Sequence, residues 1–482
     1  MASTIERYIY RWWAQLLFSF LLVAIVLIPV LSGRVVFGDD AMHLVIPQLA
    51  FYKSALVGGE SPFWNPYVAV GFPNFISTGH PFAPTALLIR FLSPVDAHYW
   101  TLFVLLALTL FFTTRFIYEL GINIWGALIG AMSYVMAAIW YTQSTFSALG
   151  ILNQAIIFWA LIKVFKGRDF KSSTPFILLG GLSSGYLWLS IGYWYNLYVF
   201  SAALAFVVFL GHLDRRVFNR VITCFLLMGG IGVMIGLFQL VPSYVMSQYS
   251  GRSGGLDYQS AQGYAIGFRE LLNFFHLTTQ RGLDAYLYMG IVPLIFFAQS
   301  FWSKDSYAKF FRWIFLIAFA IAIKGSPVFW VINKLPIFNM FQGAARFLLI
   351  GGFAGAVLVG AGSEYFLGLI KLEKLERAKR FINVLVVVIA CVMLFTVLIL
   401  WNWEVGYSVL ASLFFLILAY AIFGYFLQKP QLLAVLALVV IFDFIFVFYS
   451  FHKPSMVARK DYQPVSSVTD FLRQGGGRIF PM

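Results

Sequence analysis

Charge is scarce in this sequence. Asp, Glu, Lys and Arg together make up 11% of its 482 residues, whereas 61% of the residues are hydrophobic and 19% are aromatic. A soluble domain has about 25% charged residues and could not bury so large an apolar excess. The composition therefore excludes a soluble globular protein and predicts an all-α polytopic membrane protein, with one transmembrane domain over residues 1–450.

Cysteine and acidic residues are scarce too. The two cysteines both lie in apolar runs, which excludes a disulfide framework. The 19 Asp and Glu residues are outnumbered by 33 Lys and Arg residues, which gives a net charge of +14. In a soluble protein this excess would suggest nucleic-acid binding, but in a membrane protein basic residues first report topology. We therefore expect no nucleic-acid partner.

Long apolar runs predict thirteen membrane spans, the first over Trp12–Leu31 and the last over Leu432–Tyr449. Basic clusters alternate with the spans, and the densest cluster is KLEKLERAKR at 371–380. By the positive-inside rule, these clusters place the N-terminus in the cytoplasm and the C-terminal tail outside. The outer segments are three long loops and the tail, at residues 33–97, 243–286, 324–346 and 451–482. The tail ends in what reads as the start of a strand, so we expect it to open a further extracytoplasmic domain.

The first outer loop carries paired carboxylates, Asp39 and Asp40, directly before a helix-like segment. One of them is expected to cap that helix, which stabilises it by roughly 1 kcal/mol and holds the carboxylate in place. His43 shares a helix face with Asp40. These three side chains are too few for a metal site, and no other acidic motif completes one, so we expect no metal.

The rest of the first loop is apolar and aromatic. Its helix-like part, which extends to Leu56, is apolar on most sides and is predicted to lie at the membrane interface. Glu60 and Trp64 follow in the string GGESPFWNPY. Glu60 is either a solvated turn residue or a substrate contact. Trp64 is either an interfacial anchor or a surface on which a sugar stacks.

Basic residues also remain on the outer side, where the positive-inside rule does not explain them. Arg252 and Arg269 lie in the second loop, and Lys324 and Arg346 lie at the two ends of the third. A guanidinium group grips a phosphate through two parallel hydrogen bonds, so these residues are candidate phosphate ligands. The alternatives are surface ion pairs in the second loop and extension toward lipid headgroups in the third.

Three kinds of feature lie inside the predicted spans. Glycine pairs with four-residue spacing predict close helix packing, at 126 and 130, 232 and 236, and 351 and 355. The run GGLSSG at 180–185 either packs in the same way or breaks a helix in mid-membrane, as in transporters. Asp443 lies in mid-span and is either functional or held by an internal hydrogen bond.

Several strings together resemble the bacterial YfhO-like membrane proteins, which belong to the GT-C class of glycosyltransferases. They are GDD after the first span, PQ at 47–48, GGESPFWNPYVAVGFPN at 58–74, LVPSY and SGR within 240–252, and LPIFNMFQGAARFLL at 335–349. The resemblance runs from the first span to the tail, and the string at 58–74 is its most specific part.

The resemblance implies a GT-C-like bundle of about thirteen transmembrane helices in the inner membrane of a bacterium. The enzyme would move a sugar, with inversion, from a polyprenyl-phosphate carrier to a glycan, polymer or protein acceptor on the outer face, without a metal cofactor. Asp40 matches the position of the catalytic base, with Asp39 beside it, and Arg346 matches the arginine that precedes the tenth span. Two alternatives stay open, namely a non-catalytic scaffold subunit of a membrane complex and a transporter of a lipid-linked intermediate.

Overall fold

The computed structural model of the protein describes residues 11–36, 41–66, 68, 71–74, 84–138, 145–190, 193–251, 253–275, 288–372, 374–399, 403–429, 431–452 and 456–458. Of the predicted site residues, Asp39, Asp40 and Arg252 lie outside these ranges, as do the side chains of His43 and Arg269. Glu60, Trp64, Lys324 and Arg346 are described in full.

Fourteen helices of ten or more residues make up most of the described chain. They are α1 (Trp12–Val26), α2 (Ile46–Gly58), α3 (Pro94–Glu119), α4 (Ile124–Ala138), α5 (Thr145–Lys166), α6 (Phe170–Trp188), α7 (Tyr193–Leu213), α8 (Phe218–Ser247), α9 (Ile291–Ser300), α10 (Ser306–Ala322), α11 (Leu348–Lys371), α12 (Leu375–Ile399), α13 (Trp403–Phe426) and α14 (Leu432–His452). Shorter helical turns cover Ile28–Leu31, Ala41–Val45, Pro84–Leu87, Leu88–Arg90, Arg215–Val217, Tyr258–Ala261, Phe268–Leu271, Leu272–Phe274, Pro327–Ile332, Phe338–Met340 and Ala344–Phe347. The described strands are β1 (Arg34–Val36), β2 (Trp64–Asn65), β3 (Phe72–Pro73) and β4 (Met456–Ala458).

Every helix except α2 falls on one of the thirteen predicted spans. Within the described ranges, seven helices are long and apolar enough to cross a membrane, namely α3, α5, α7, α8, α11, α12 and α13. Helices α1, α4, α9 and α14 are apolar but shorter. Because an α-helix satisfies its own backbone hydrogen bonds, it is the form that an apolar segment takes in lipid. The protein is therefore a multi-pass, all-α membrane protein, as its composition predicts.

Five phenylalanines form the centre of the bundle. Phe116 of α3, Phe158 of α5, Phe206 of α7, Phe311 of α10 and Phe353 of α11 are each no more than 1% exposed. Contacting rings of this cluster lie 5.0 to 6.3 Å apart between centroids, in stacked, tilted and edge-to-face pairs. Aromatic contacts of this kind stabilise a core beyond the area that they bury. The cluster joins helices that are far apart in the sequence.

Glycines allow α11 and its neighbours to approach closely. A Cβ atom on Gly130 of α4 would collide with the Ala356 carbonyl of α11, and one on Gly126 would collide with Ser363. The predicted packing role of this pair is thus confirmed. Gly351 is less tightly packed, since a Cβ there would meet Ala318 at an ordinary 3.4 Å.

The GGLSSG run packs against α8 and does not break a helix. Helix α6 is continuous from Phe170 to Trp188. A Cβ atom on Gly181 or Gly185 would lie 2.7 Å from the side chain of Ile231 or Ile235. The small residues therefore allow α8 to approach closely. Of the two alternatives for this run, packing is confirmed and the mid-membrane break is wrong. Helix α8 likewise continues past Pro242 to Ser247, so the second loop begins later than predicted.

Contacts between loops sort the helix ends into two sides. On one side, Lys163 of α5 pairs with Glu119 of α3 at 3.2 Å, near the basic clusters. On the other side, β1 pairs with β4, and Ile266 of the second loop bridges to Ile323 of the third. A helix that crosses the membrane carries the chain to the other side, so two segments on the same side are separated by an even number of such helices. Each of these contacts joins segments separated by an even number of the thirteen helices. These contacts agree with the predicted placement of the loops on one face and the basic clusters on the other, which stays a prediction.

This arrangement predicts how the protein is oriented in cells. In a Cys391→Ser background, Glu60→Cys places an exposed thiol on the loop side, and Lys171→Cys places one among the basic clusters. Because basic segments stay in the cytoplasm, a membrane-impermeant maleimide should label Glu60→Cys in intact cells and Lys171→Cys only after permeabilisation. The parent without either thiol is the control, and the opposite labelling pattern would contradict the orientation.

Candidate functional site

The first loop is anchored on the start of α3. Tyr52 of α2 is 1% exposed, and the Gln48 side chain donates a hydrogen bond to its hydroxyl at 2.6 Å. Burial raises the pKa of Tyr52 well above its usual range, so the phenol keeps its proton and donates to the Asn74 carbonyl. Lys53 Nζ donates to the Leu92 carbonyl at 2.9 Å. Helix α2 is thus fixed to the bundle and does not lie free at its surface.

The most specific string of the first loop folds as a small hairpin. Strands β2 and β3 pair with Trp64 opposite Pro73, and the Asn74 side chain donates to the Pro62 carbonyl at 3.2 Å. Gly71 has a positive φ of 114°, and a Cβ atom there would collide with the Trp64 ring. The ring therefore lies against a glycine, and Trp64 is 53% exposed. Glu60 is exposed in the preceding turn, as expected for a solvated residue.

The paired carboxylates of Asp39 and Asp40 lie, in the sequence, between two anchored segments. Strand β1 ends at Val36, and the π-helical turn Ala41–Val45 begins directly after the pair and continues into α2. Asp39 and Asp40 themselves, and the His43 side chain, lie outside the described residues. Their predicted roles therefore stay predictions. What the structure adds is that the segments on both sides of them are held.

The C-terminal tail holds the first of these segments. Strand β4 lies antiparallel to β1, with Val35 opposite Val457 and Arg34 opposite Ala458. The sequence suggested a strand only at the end of the tail, with nothing to pair with. The short MVA run carries no periodic signal of its own, so its pairing with a segment more than four hundred residues away was missed. The tail therefore begins beside the first loop.

The second and third loops form one layer. The Ile266 N–H donates to the Ala322 carbonyl and the Lys324 N–H donates to the Ile266 carbonyl, both at 2.8 Å. Farther along, the Gly343 N–H donates to the Ala261 carbonyl at 3.0 Å. This layer brings the exposed Lys324 near the helical turn Phe268–Leu271, which contains the Arg269 backbone. Two of the predicted phosphate ligands thus share one layer.

Arg346 is the best defined of the predicted phosphate ligands. Its guanidinium carbon lies 4.7 Å from the centre of the Trp194 ring, which is within the range of a cation–π contact. The side chain is half-buried in the turn Ala344–Phe347, directly before α11. Gly343 has a φ of 109° and leaves room for the arginine stem. Gln342 of the third loop packs against Gly263 of the second loop.

A buried polar network, which sequence reasoning missed, positions Trp194. Asn153 of α5 donates to Asn196 of α7 at 3.0 Å, and Asn196 in turn donates to the Ser184 carbonyl of α6 at 3.1 Å. The adjacent Tyr195 donates to Ser147 at 3.1 Å. All these polar groups are buried, so the bonds are costly to break and fix the start of α7. The ring that faces Arg346 is therefore held in place.

Asp257, an acidic residue of the second loop, serves as a helix cap. Its carboxylate accepts hydrogen bonds from the backbone N–H groups of Gln259 and Ser260. Hydrogen bonds from Ser260, chiefly from its side chain, hold the pKa of Asp257 below the usual range. A carboxylate stabilised in its ionised form is a weaker base. Asp257 is thus a poor alternative to the acid pair.

Asp443 has a structural explanation. The Tyr288 hydroxyl donates to its Oδ1 at 2.9 Å, and the Ile291 N–H, at the start of α9, donates to its Oδ2 at 3.1 Å. The side chain is 2% exposed. Asp443 therefore caps α9 from α14, which favours the internal hydrogen bond over a transport role. Among the described residues no group of three or more His, Cys, Asp or Glu side chains could hold a metal ion.

Comparison with known proteins identifies the fold. No protein-family model matches the sequence, and no curated protein sequence matches it. The chain is similar to the crystal structure of ArnT from Cupriavidus metallidurans bound to undecaprenyl phosphate, with a TM-score of 0.53 and 13% identity over 91% of this chain and 77% of that one. It is similar to ArnT in the apo state, with a TM-score of 0.53 and 14% identity over 90% and 76% of the two chains.

At this level of identity the likeness shows the fold. The chain has the GT-C fold, as the sequence resemblance implies. The narrower resemblance to YfhO-like proteins stays a prediction, because neither ArnT structure bears on it.

The capping role of Asp443 predicts a loss of stability on substitution. Asp443→Leu leaves the Tyr288 hydroxyl and the Ile291 N–H without an acceptor, each at a cost of about 1–3 kcal/mol. The melting temperature in detergent should fall clearly for Leu and less for Asn, which keeps one carbonyl oxygen. Phe442→Leu, at the neighbouring exposed position, is the control. An Asn variant that is fully stable but functionally dead would contradict a purely structural role.

Proposed function

We propose that this chain is a GT-C glycosyltransferase that moves a sugar from a polyprenyl-phosphate carrier to an acceptor of the bacterial envelope. The observation that supports the proposal most is the fold shared with ArnT, whose structure was solved with undecaprenyl phosphate bound. The transfer would occur on the face that carries the long loops, in the inner membrane. The acceptor would be a glycan, a polymer or a protein.

The chemistry needs a base and a site for the departing negative charge. Asp40, assisted by Asp39, would take the proton from an acceptor hydroxyl, whose oxygen then bonds to the anomeric carbon. The bond between that carbon and the phosphate oxygen breaks with inversion, and polyprenyl phosphate leaves with the electron pair. Arg346 would hold the phosphate, because a guanidinium fixed against an indole is already oriented for it.

The other predicted site residues have supporting roles in this proposal. Arg252, Arg269 and Lys324 would add positive charge from the joined second and third loops. His43, Glu60 and Trp64 would contact the sugar or the acceptor, and the half-exposed Trp64 ring offers the apolar face on which a sugar stacks. No metal is part of the proposed mechanism.

The alternatives differ in how the structure bears on them. The two sequence features that suggested a transporter were the GGLSSG run and Asp443. The structure gives both a packing or capping role, because α6 is continuous and Asp443 caps α9. A scaffold subunit in a larger complex would share the fold and differ only in lacking turnover. Activity measurements therefore decide between the enzyme and the scaffold.

Asp40→Asn tests the base. Purified protein would be supplied with a panel of undecaprenyl-phosphate-linked monosaccharides and envelope acceptors, and release of undecaprenyl phosphate would be measured. Asp40→Asn should lower turnover by about 10²–10⁴-fold, the range for loss of a general base, with unchanged melting temperature. Asp39→Asn should lower it less. Full turnover by Asp40→Asn would contradict the assignment of Asp40 as the base. If the wild type shows no turnover with any donor, the result would favour a non-catalytic scaffold subunit.

Arg346→Gln tests the phosphate site. Loss of a charge-assisted hydrogen bond costs about 1.5–3 kcal/mol, so binding of undecaprenyl phosphate should weaken by roughly 10- to 100-fold. Arg346→Lys should give an intermediate effect, because lysine keeps the charge but not the paired hydrogen bonds. Lys334→Gln is the matched control, since Lys334 also lies over an indole of the third loop, at 4.2 Å from the Trp330 ring. Equal losses in Arg346→Gln and Lys334→Gln would contradict a specific role.

A further inference from the structure

A groove lies on the opposite face of the bundle, among the basic clusters. It has a volume of about 580 Å³ and runs between the end of α9 and the first half of α12. Trp302, just beyond α9, lines one wall. Arg377, Arg380, Val384 and Val388 line the other. The groove lies at the C-terminal end of α9, whereas the second loop of the proposed active site precedes the N-terminal end of that helix.

The groove is charged at one end and apolar along the rest. Residues 377, 380, 384 and 388 are three or four positions apart, so they share one face of α12. Between the charged and the apolar part, the Phe381 ring meets the Trp302 ring edge to face, with centroids 4.8 Å apart. Two guanidinium groups thus lie at one end of the groove, and aromatic and aliphatic side chains line the rest of it.

Both guanidinium groups are available to a ligand. Arg377 and Arg380 are exposed, and within the described ranges neither makes an ion pair or a side-chain hydrogen bond. The neighbouring Lys379 is different, because it pairs with Glu376 at 3.1 Å. Cations in the first turns of a helix are disfavoured by the helix dipole, which attracts anions there. An anion at this place would be stabilised by the dipole and by both arginines.

The apolar part of the groove is exposed where a lipid would be. Only 22% of the most apolar stretch of α12 is buried within the protein. Val384 is 59% exposed and Val388 48%. We propose that this groove binds one anionic phospholipid of the inner leaflet, with its phosphate between Arg377 and Arg380 and an acyl chain along Val384 and Val388.

Charge complementarity selects this occupant. A zwitterionic headgroup would bring an ammonium group toward two arginines, and a free phosphate would leave the apolar channel empty. Topology alone requires basic residues on this face, but it does not require two exposed guanidinium groups beside a pair of aromatic rings in one groove. Anionic lipids supply both the charge and the chain.

Native mass spectrometry of the detergent-purified chain tests the proposal. The protein would be titrated with phosphatidylglycerol, phosphatidylethanolamine and glycerol 3-phosphate. We expect one phosphatidylglycerol to be retained, with at least tenfold weaker binding of the other two probes. The double variant Arg377→Gln, Arg380→Gln should weaken phosphatidylglycerol binding at least tenfold. Lys379→Gln, which removes a cation from the same turn but outside the groove, should not.

A second variant tests the groove without changing either arginine, in case the double variant fails to fold. Val388→Trp fills the apolar part of the groove and leaves both arginines in place, so it should also weaken phosphatidylglycerol binding. Undiminished binding in both the double variant and Val388→Trp would overturn the proposal. So would equal weakening by Lys379→Gln, which indicates diffuse attraction, or glycerol 3-phosphate binding as tight as that of the lipid.

Discussion

The close approach of α11 to its neighbours is the constraint on which the bundle depends. A Cβ atom on Gly362 would collide with the Phe296 carbonyl of α9, and one on Gly130 of α4 would collide with the Ala356 carbonyl of α11. In lipid there is little hydrophobic drive between helices, so such contacts carry the association. Because α11 begins two residues after Arg346, its position also sets the position of that guanidinium. Packing in the membrane thus determines geometry at the surface.

Polar groups inside the bundle serve the same end. The Asn153 and Asn196 side chains join α5 to α7, and the Asp443 carboxylate joins α14 to α9. An unpaired polar group at this depth is expensive, so each pair stabilises the arrangement in which its two helices are joined. The first pair fixes the start of α7 and the ring that faces Arg346. The second accounts for an acidic residue that would otherwise suggest transport.

Two of the strings behind the family resemblance, those at 58–74 and 335–349, lie largely in folded loops where the structure describes them. Gly71 lies under the Trp64 ring in the β2–β3 hairpin, and Gln342 lies against Gly263 where the second and third loops meet. In both places a side chain occupies the room that a missing Cβ leaves. These strings therefore record how the loops are built. The chemistry that we propose rests on the few charged residues that the loops carry.

The sequence by itself determined the membrane class and the positions of the thirteen long helices along the chain, and it predicts the separation of loops from basic clusters. These follow from hydropathy and charge, which are local properties and are legible along the chain. Only the tertiary structure decided that β4 pairs with β1, that the second and third loops form one layer, and that the glycines of α6 receive α8. A run of small residues in the membrane either interrupts a helix or lets another helix pack closely against it, and only the neighbouring helix reveals which of the two applies. Such contacts join segments far apart in sequence, and no local pattern encodes their partner.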